Sequence, residues 1–117
     1  METQQNRPKD YRDLSKEEVD LINRIKAKGA ELLALQNELA NRLDTDAEYK
    51  LYQARKSVEG KEFEGRPYTE WNGASDECIE YRRFKQAEPH RWAAIGKTDI
   101  QTGLMALTRA IAQPSGL

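Results

Sequence analysis

Few side chains in this 117-residue sequence have types and spacing that could do chemistry. Nucleophilic or metal chemistry would fall to Cys78 and His90, the single cysteine and the single histidine. A zinc site of the usual kind needs three or four Cys, His or carboxylate ligands, so no metal site is expected. A Cys–His nucleophilic pair is a formal alternative to the plainer one, a semi-buried thiol and a helix-start imidazole. Carboxylates are plentiful, but they alternate with Lys and Arg as a solvated helix face would. Gly96-Lys97-Thr98 resembles the end of a phosphate loop by letter only, because it lacks the upstream glycine and falls inside a helical pattern. No catalytic residue and no cofactor is therefore expected. Anion binding is better served. Tyr11-Arg12 precedes the first helical run, Lys26 lies near its middle, and Arg91, Lys97, Thr98 and Arg109 follow along the last run. Phosphates take cations and N–H donors, and flat groups take an aromatic or guanidinium face. Each residue also has a plain role: Tyr11 as a hydrophobic staple, Lys26 as a solvated lysine, Arg109 in an ion pair with a carboxylate of the first helix.

Two long helices must position these groups. Ser15-Lys16-Glu17-Glu18 is a capping box, hydroxyl first and carboxylate three residues on. Ile22, Ile25, Gly29, Leu32, Leu39 and Leu43 then recur at three- and four-residue steps or their sum, with Leu33 and Leu35 flanking, an apolar helical stripe. Gly29 within it costs about 1 kcal/mol relative to alanine, which suggests close approach of another backbone or of a ligand. The last helix should start at Pro89, where a proline loses no N–H partner. Its stripe is Trp92, Ile95, Gly96, Ile100, Leu104, Leu107 and Ile111, and Gly96 and Gly103 on it suggest tight helix packing.

These patterns predict a single domain over residues 1–117, mainly α, with two long antiparallel helices forming a hairpin. An N-terminal arm covers 1–12, helix one 13–44, a structured central insertion 45–87 and the last helix 88–113. More than forty residues between the helices are too many for a structureless loop. Ala47, Leu51, Ala54 and Val58 keep helical spacing and extend or follow helix one. Gly60, Gly65, Pro67 and Asn72-Gly73 punctuate a hairpin or ordered loop, and Ser75 caps a short helix, Asp76 to Ala87.

With 33% charged and only 38% apolar residues, one chain has a thin core, so an oligomer is expected. A net charge of −1, from 19 basic and 20 acidic residues, argues against coating a DNA or RNA polymer. No apolar run is long enough to span a membrane.

Two segments also look familiar: YRDLSKEEVDLINRIKAKGAELLAL, Tyr11 to Leu35, and HRWAAIGKTDIQTGLMALTRAIAQP, His90 to Pro114. On these the chain resembles the phage-encoded helical-hairpin family of cyclic-nucleotide sponges, the anti-CBASS and anti-Thoeris proteins. The resemblance implies a dimer-based homo-oligomer, a hexamer among the assemblies, with pockets between protomers. It implies cyclic di- and trinucleotides or cyclic ADP-ribose isomers as partners, held uncleaved in the cytoplasm of the infected bacterial host. Tyr11 and Lys26 match positions that hold a cyclic dinucleotide, and Arg91 and Thr98 fall where a separate trinucleotide pocket is built. Arg109 is added from its helical placement alone. The insertion departs from short members, and its Arg66, Tyr68 and Trp71 could cap, enlarge or block a pocket. The rival expectation is a helical oligomeric protein that binds a host protein and no small ligand.

Overall fold

A computed structural model of the protein describes residues 12–114. In order they form α1 (Lys16–Ser57), β1 (Glu62–Phe63), β2 (Arg66–Pro67), α2 (Asp76–Gln86) and α3 (Pro89–Ala112). The chain is thus a mainly α-helical hairpin in which α1 and α3 are the long arms. Its contacts divide it into two compact units: one comprises, among the described residues, 12–35 and 96–114; the other is Gln36–Ile95. No helix of the described residues is long and apolar enough to cross a membrane.

In the first unit the capping box forms as its sequence predicts. Ser15 Oγ accepts from the Glu18 N–H at 3.1 Å, and Glu18 Oε1 accepts from the Ser15 N–H at 2.9 Å. The start of α1 lies beside the end of α3, because Arg12 donates to the carbonyls of Ile111 and Ala112. Deeper in, Gly29 meets Leu104: a Cβ built at Gly29 would stand 2.5 Å from a Leu104 methyl. The two segments are therefore antiparallel, and Gly29 exists to admit the Leu104 side chain. Gly96 and Gly103 do not have that role. A Cβ at either would meet nothing within 4 Å, so neither packs against another helix within the chain. The stripe itself is only partly covered: Ile22 is buried, but Leu32, Leu35 and Leu107 remain exposed, and α3 has no buried residue.

The second unit builds the core that the sequence places in the insertion. Helix one does not stop where its stripe ends near Leu43; α1 runs on to Ser57. Thr45 Oγ1 donates back to the Asn41 carbonyl at 3.2 Å, and Asp46 takes the Arg42 guanidinium at 3.0 Å. Side chains that suit a helix start are thereby absorbed within the helix. The helix ends after Ser57, whose hydroxyl donates to the Ala54 carbonyl at 2.7 Å. Glu64 and Gly65, both at positive φ, turn β1 into β2, with Glu62 opposite Pro67 and Phe63 opposite Arg66. Ser75 caps α2 by accepting from the Cys78 N–H at 3.1 Å. Ala54, Val58, Cys78 and Tyr81 pack together, with Leu51 and Tyr68 against them. At the open side of this unit the Gln36 side-chain amide donates to the Ala93 carbonyl at 3.0 Å, and His90 Nε2 lies 2.9 Å from Asp44 Oδ1. Here too α1 and α3 run antiparallel.

Two carboxylates in these units set an acid-side prediction. The Arg12 guanidinium and then the Ser15 N–H hold Glu18 down to about 2, and Arg83 and then Lys50 hold Glu80 down to about 2. A depressed folded pKa stabilises above the unfolded value, near 4.5, and that stabilisation disappears as pH falls through about 2. Denaturation midpoints should therefore fall between pH 4.5 and 2, and Glu18→Gln with Glu80→Gln should flatten that limb. All these groups are partly exposed, so high salt should shrink the effect. A parental limb unchanged in the double variant would show that the two clusters do not set it.

Candidate ligand-binding site

The register of the first unit decides which cations meet. Because α1 and α3 are antiparallel and Gly29 faces Leu104, moving one turn back along α1 corresponds to moving one turn forward along α3. One turn before Gly29 is Lys26, and one turn after Leu104 stand Thr108 and Arg109. A groove of about 450 Å³ results, lined by Lys26, Leu104, Met105, Thr108, Arg109 and the end residues Ala112 and Pro114. Its size falls within the ordinary range for small-molecule sites, about 300–1,000 Å³. Leu104 and Met105 give it an apolar floor, and Met105 is 71% exposed. Neither Lys26 nor Arg109 makes an ion pair among the described residues, so the expected bridge from Arg109 to a carboxylate of the first helix is not formed. An apolar floor with two unspent cations and a threonine hydroxyl suits a ligand that is flat in part and anionic in part.

Other grooves lack that combination. A groove of about 510 Å³ in the same unit is lined by Leu21, Ile25, Gly29, Leu32, Leu104 and Leu107. The cations at its rim are already paired, Arg24 with Asp20 and Lys28 with Glu31. In the insertion unit a third groove, about 570 Å³, follows α1 past Tyr52, Arg55 and Lys56. Arg55 is held there by Glu70, a carboxylate only 8% exposed, at 3.1 Å, and Lys56 sits 5.5 Å over the Tyr52 ring.

Of the five candidate residues, Lys26 and Arg109 are thus brought together. Tyr11 lies outside the described residues. Thr98 is exposed on α3 and does not line the groove. Arg91 belongs to the second unit, where its guanidinium lies 5.1 Å over the Trp92 ring and 3.7 Å from Glu88. Arg12, a candidate anion ligand in the sequence, is instead taken up by Glu18 and the carbonyls of α3. Met105 and Thr108 line the groove without having been singled out from the sequence, since neither belongs to the apolar stripe. Their signal was positional: each lies within a turn of Leu104.

The Cys–His pair that the sequence allowed is not formed. Cys78 is fully buried and its thiol approaches the Ala54 carbonyl at 3.4 Å, while His90 is engaged by Asp44 and the Phe84 ring, so the two do not pair. Among the described residues no three Cys, His, Asp or Glu side chains cluster as a metal site would require.

Comparison with known proteins finds relatives over nearly the whole chain. The family model described as Acb2/Tad1, hairpin domain, matches residues 6–112. Anti-CBASS protein 2 of Pseudomonas phage JBD67 is 54% identical over 116 residues, covering 99% of each chain. The insertion is shared by that relative, since the alignment runs through it. A helical hairpin whose arms meet in this register, matched over both arms and the insertion between them, belongs to the Acb2/Tad1 hairpin-domain family.

Proposed function

We propose that this chain is a phage anti-CBASS protein that acts as a sponge, binding cyclic nucleotide second messengers in the cytoplasm of the infected bacterium without cleaving them. The observation that carries this reading is the groove in which Lys26 and Arg109, both without carboxylate partners among the described residues, flank the apolar floor of Leu104 and Met105. Phosphates meet the two cations, and a base or ribose lies on the floor. Tyr11, immediately before Arg12 in sequence, adds a stacking face or hydroxyl to a bound cyclic dinucleotide. Arg91 and Thr98 are the candidates for holding a cyclic trinucleotide, by their positions in the segment shared with the family. Cyclic ADP-ribose isomers share the same phosphate and flat-base chemistry. Sequestration then works by mass action, lowering free signal below what an immune effector needs.

The exposed apolar residues support an oligomer of this chain. Leu32, Leu35 and Leu39 on α1 and Met105 and Leu107 on α3 lack cover, and Gly96 and Gly103 leave room for a close neighbour. A dimer-based homo-oligomer would bury these faces and close grooves that one chain leaves open.

Incubation with a panel of cyclic di- and trinucleotides and cyclic ADP-ribose isomers, followed by desalting, heat release and mass spectrometry, tests the reading. One intact nucleotide class should return at a fixed ratio to the chain. Return of linearised or hydrolysed product in excess of the sites would reveal an enzyme. Retention of no nucleotide would favour the rival, a helical oligomer that binds a host protein.

A further inference from the structure

Arg12 is bonded to both arms of the hairpin. Its Nε donates to the Ala112 carbonyl at 3.2 Å, and one terminal nitrogen donates to the Ile111 carbonyl at 2.7 Å and to Glu18 Oε2 at 2.5 Å. The other terminal nitrogen reaches Glu18 Oε1 at 3.3 Å. Glu18 is in turn oriented by the capping box at the start of α1. One guanidinium therefore ties the first turn of α1 to the last turn of α3.

That last turn is where Arg109 sits, and it ends in a strained way. Gln113 has a φ of 48°, a left-handed conformation that favours glycine, and its N–H bonds the Arg109 carbonyl at 2.8 Å. A non-glycine residue is disfavoured there and persists only when its surroundings over-determine it. The carbonyls at a helix end that lack internal partners are also the ones most prone to fray. Arg12 satisfies two of them, on the turn between Arg109 and Gln113. Only a forked donor can reach two carbonyls and a bidentate carboxylate at once.

We propose that Arg12 is a positioning residue for the ligand groove: by clasping Ile111 and Ala112 against Glu18 it fixes the last turn of α3, and with it Arg109 and the wall formed by Ala112 and Pro114. This rests on the reading of that groove as the cyclic-nucleotide site and adds the residue that organises it. Arg12 acts through Arg109 and does not itself touch the phosphate, since its donors are already used.

The test is a double-mutant cycle on the full chain with cyclic di-AMP and cyclic GMP–AMP as probes. Arg12→Lys keeps the charge and loses the fork; it should weaken binding by about three- to tenfold, mainly through faster dissociation. In an Arg109→Ala background the same change should cost less than about twofold, because the group it positions is gone. Glu18→Gln should reproduce the effect of Arg12→Lys, and amide exchange should speed up at 109–113 in both variants while the middle of α3 keeps its protection. Equal losses with and without Arg109 would overturn the assignment, as would parental affinity or parental exchange in Arg12→Lys. A parent chain that binds neither probe would overturn the sequestration reading, and this assignment with it. A parent that binds while Arg12→Lys binds equally well overturns this assignment only.

Discussion

Lys26→Ala and Arg109→Ala are each expected to weaken cyclic dinucleotide binding about tenfold or more. Charge-assisted contacts to a ligand phosphate are worth about 1–3 kcal/mol each, and 1.4 kcal/mol is a factor of ten. The two cations reach the groove from different helices, and among the described residues neither is neutralised by a carboxylate, so the contact is available to the ligand. Removing both should cost on the order of a hundredfold if the contacts act independently. Tyr11→Ala should weaken binding by a comparable single step. Lys16→Ala, in the first turn of α1 and away from the groove, should bind as the parent does. Helix content and assembly size should be unchanged throughout, because none of these residues lies on the apolar stripe. Calorimetry that finds Lys26→Ala and Arg109→Ala both binding like the parent would move the pocket elsewhere in the molecule.

That prediction needs the register of the hairpin, which is where the sequence alone runs out. Local signals were legible because their physics is local. At Ser15 and Ser75 a side chain satisfies a backbone N–H three residues away, at Pro89 the first helical residue has no N–H to satisfy, and each helix starts there as expected. Pairing between arms is different. Nothing in the spacing of either stripe says that Gly29 receives Leu104, and without that contact Arg109 has no assigned neighbour on α1. Glycine pattern alone pointed to Gly96 and Gly103, which face open space, because a small residue is equally compatible with a packed seam and an empty one.

The extent of helix one is a different case. The apolar stripe fades near Leu43, and the spacing of Ala47, Leu51, Ala54 and Val58 allows the helix either to extend or to start again, yet neither glycine nor proline occurs between Gly29 and Gly60 to end it. Thr45 and Asp46 spend their side chains inside the helix, and the face turns toward a new partner, α2. Lys50 reaches Glu80 on α2 at 2.9 Å, and Ala54 and Val58 join Cys78 and Tyr81 in the core. A periodic stripe reports which face is buried; where the partner changes, the stripe breaks and the backbone does not. Arg12 was missed as a clasp for a related reason. Its partners at Ile111 and Ala112 lie about a hundred residues away, beyond any local pattern.

Gly73→Ala is expected to destabilise the insertion unit by about 1–3 kcal/mol, the usual cost of forcing a methyl into a packed core. The added Cβ would stand 2.6 Å from Cys78 Sγ, 2.9 Å from a Val58 methyl and 3.0 Å from the Thr69 carbonyl oxygen. None of these can easily step aside. Cys78 is fully buried and bonded to Ala54, Val58 is 6% exposed, and the Thr69 oxygen already accepts from the Gly73 N–H at 2.8 Å. The sign of the change is informative, because Gly73 is not among the glycines held at positive φ. If space were not limiting, alanine there would restrict the unfolded chain and stabilise by about 0.4–1 kcal/mol. Denaturant titration distinguishes the two causes directly. A lower midpoint, partly restored when Cys78→Ala removes the nearest atom, identifies crowding as the reason for glycine. A midpoint equal to or above the parent's would mean that the turn between Thr69 and Ser75 relaxes at no cost, and that the core around Cys78 is looser than its contacts imply.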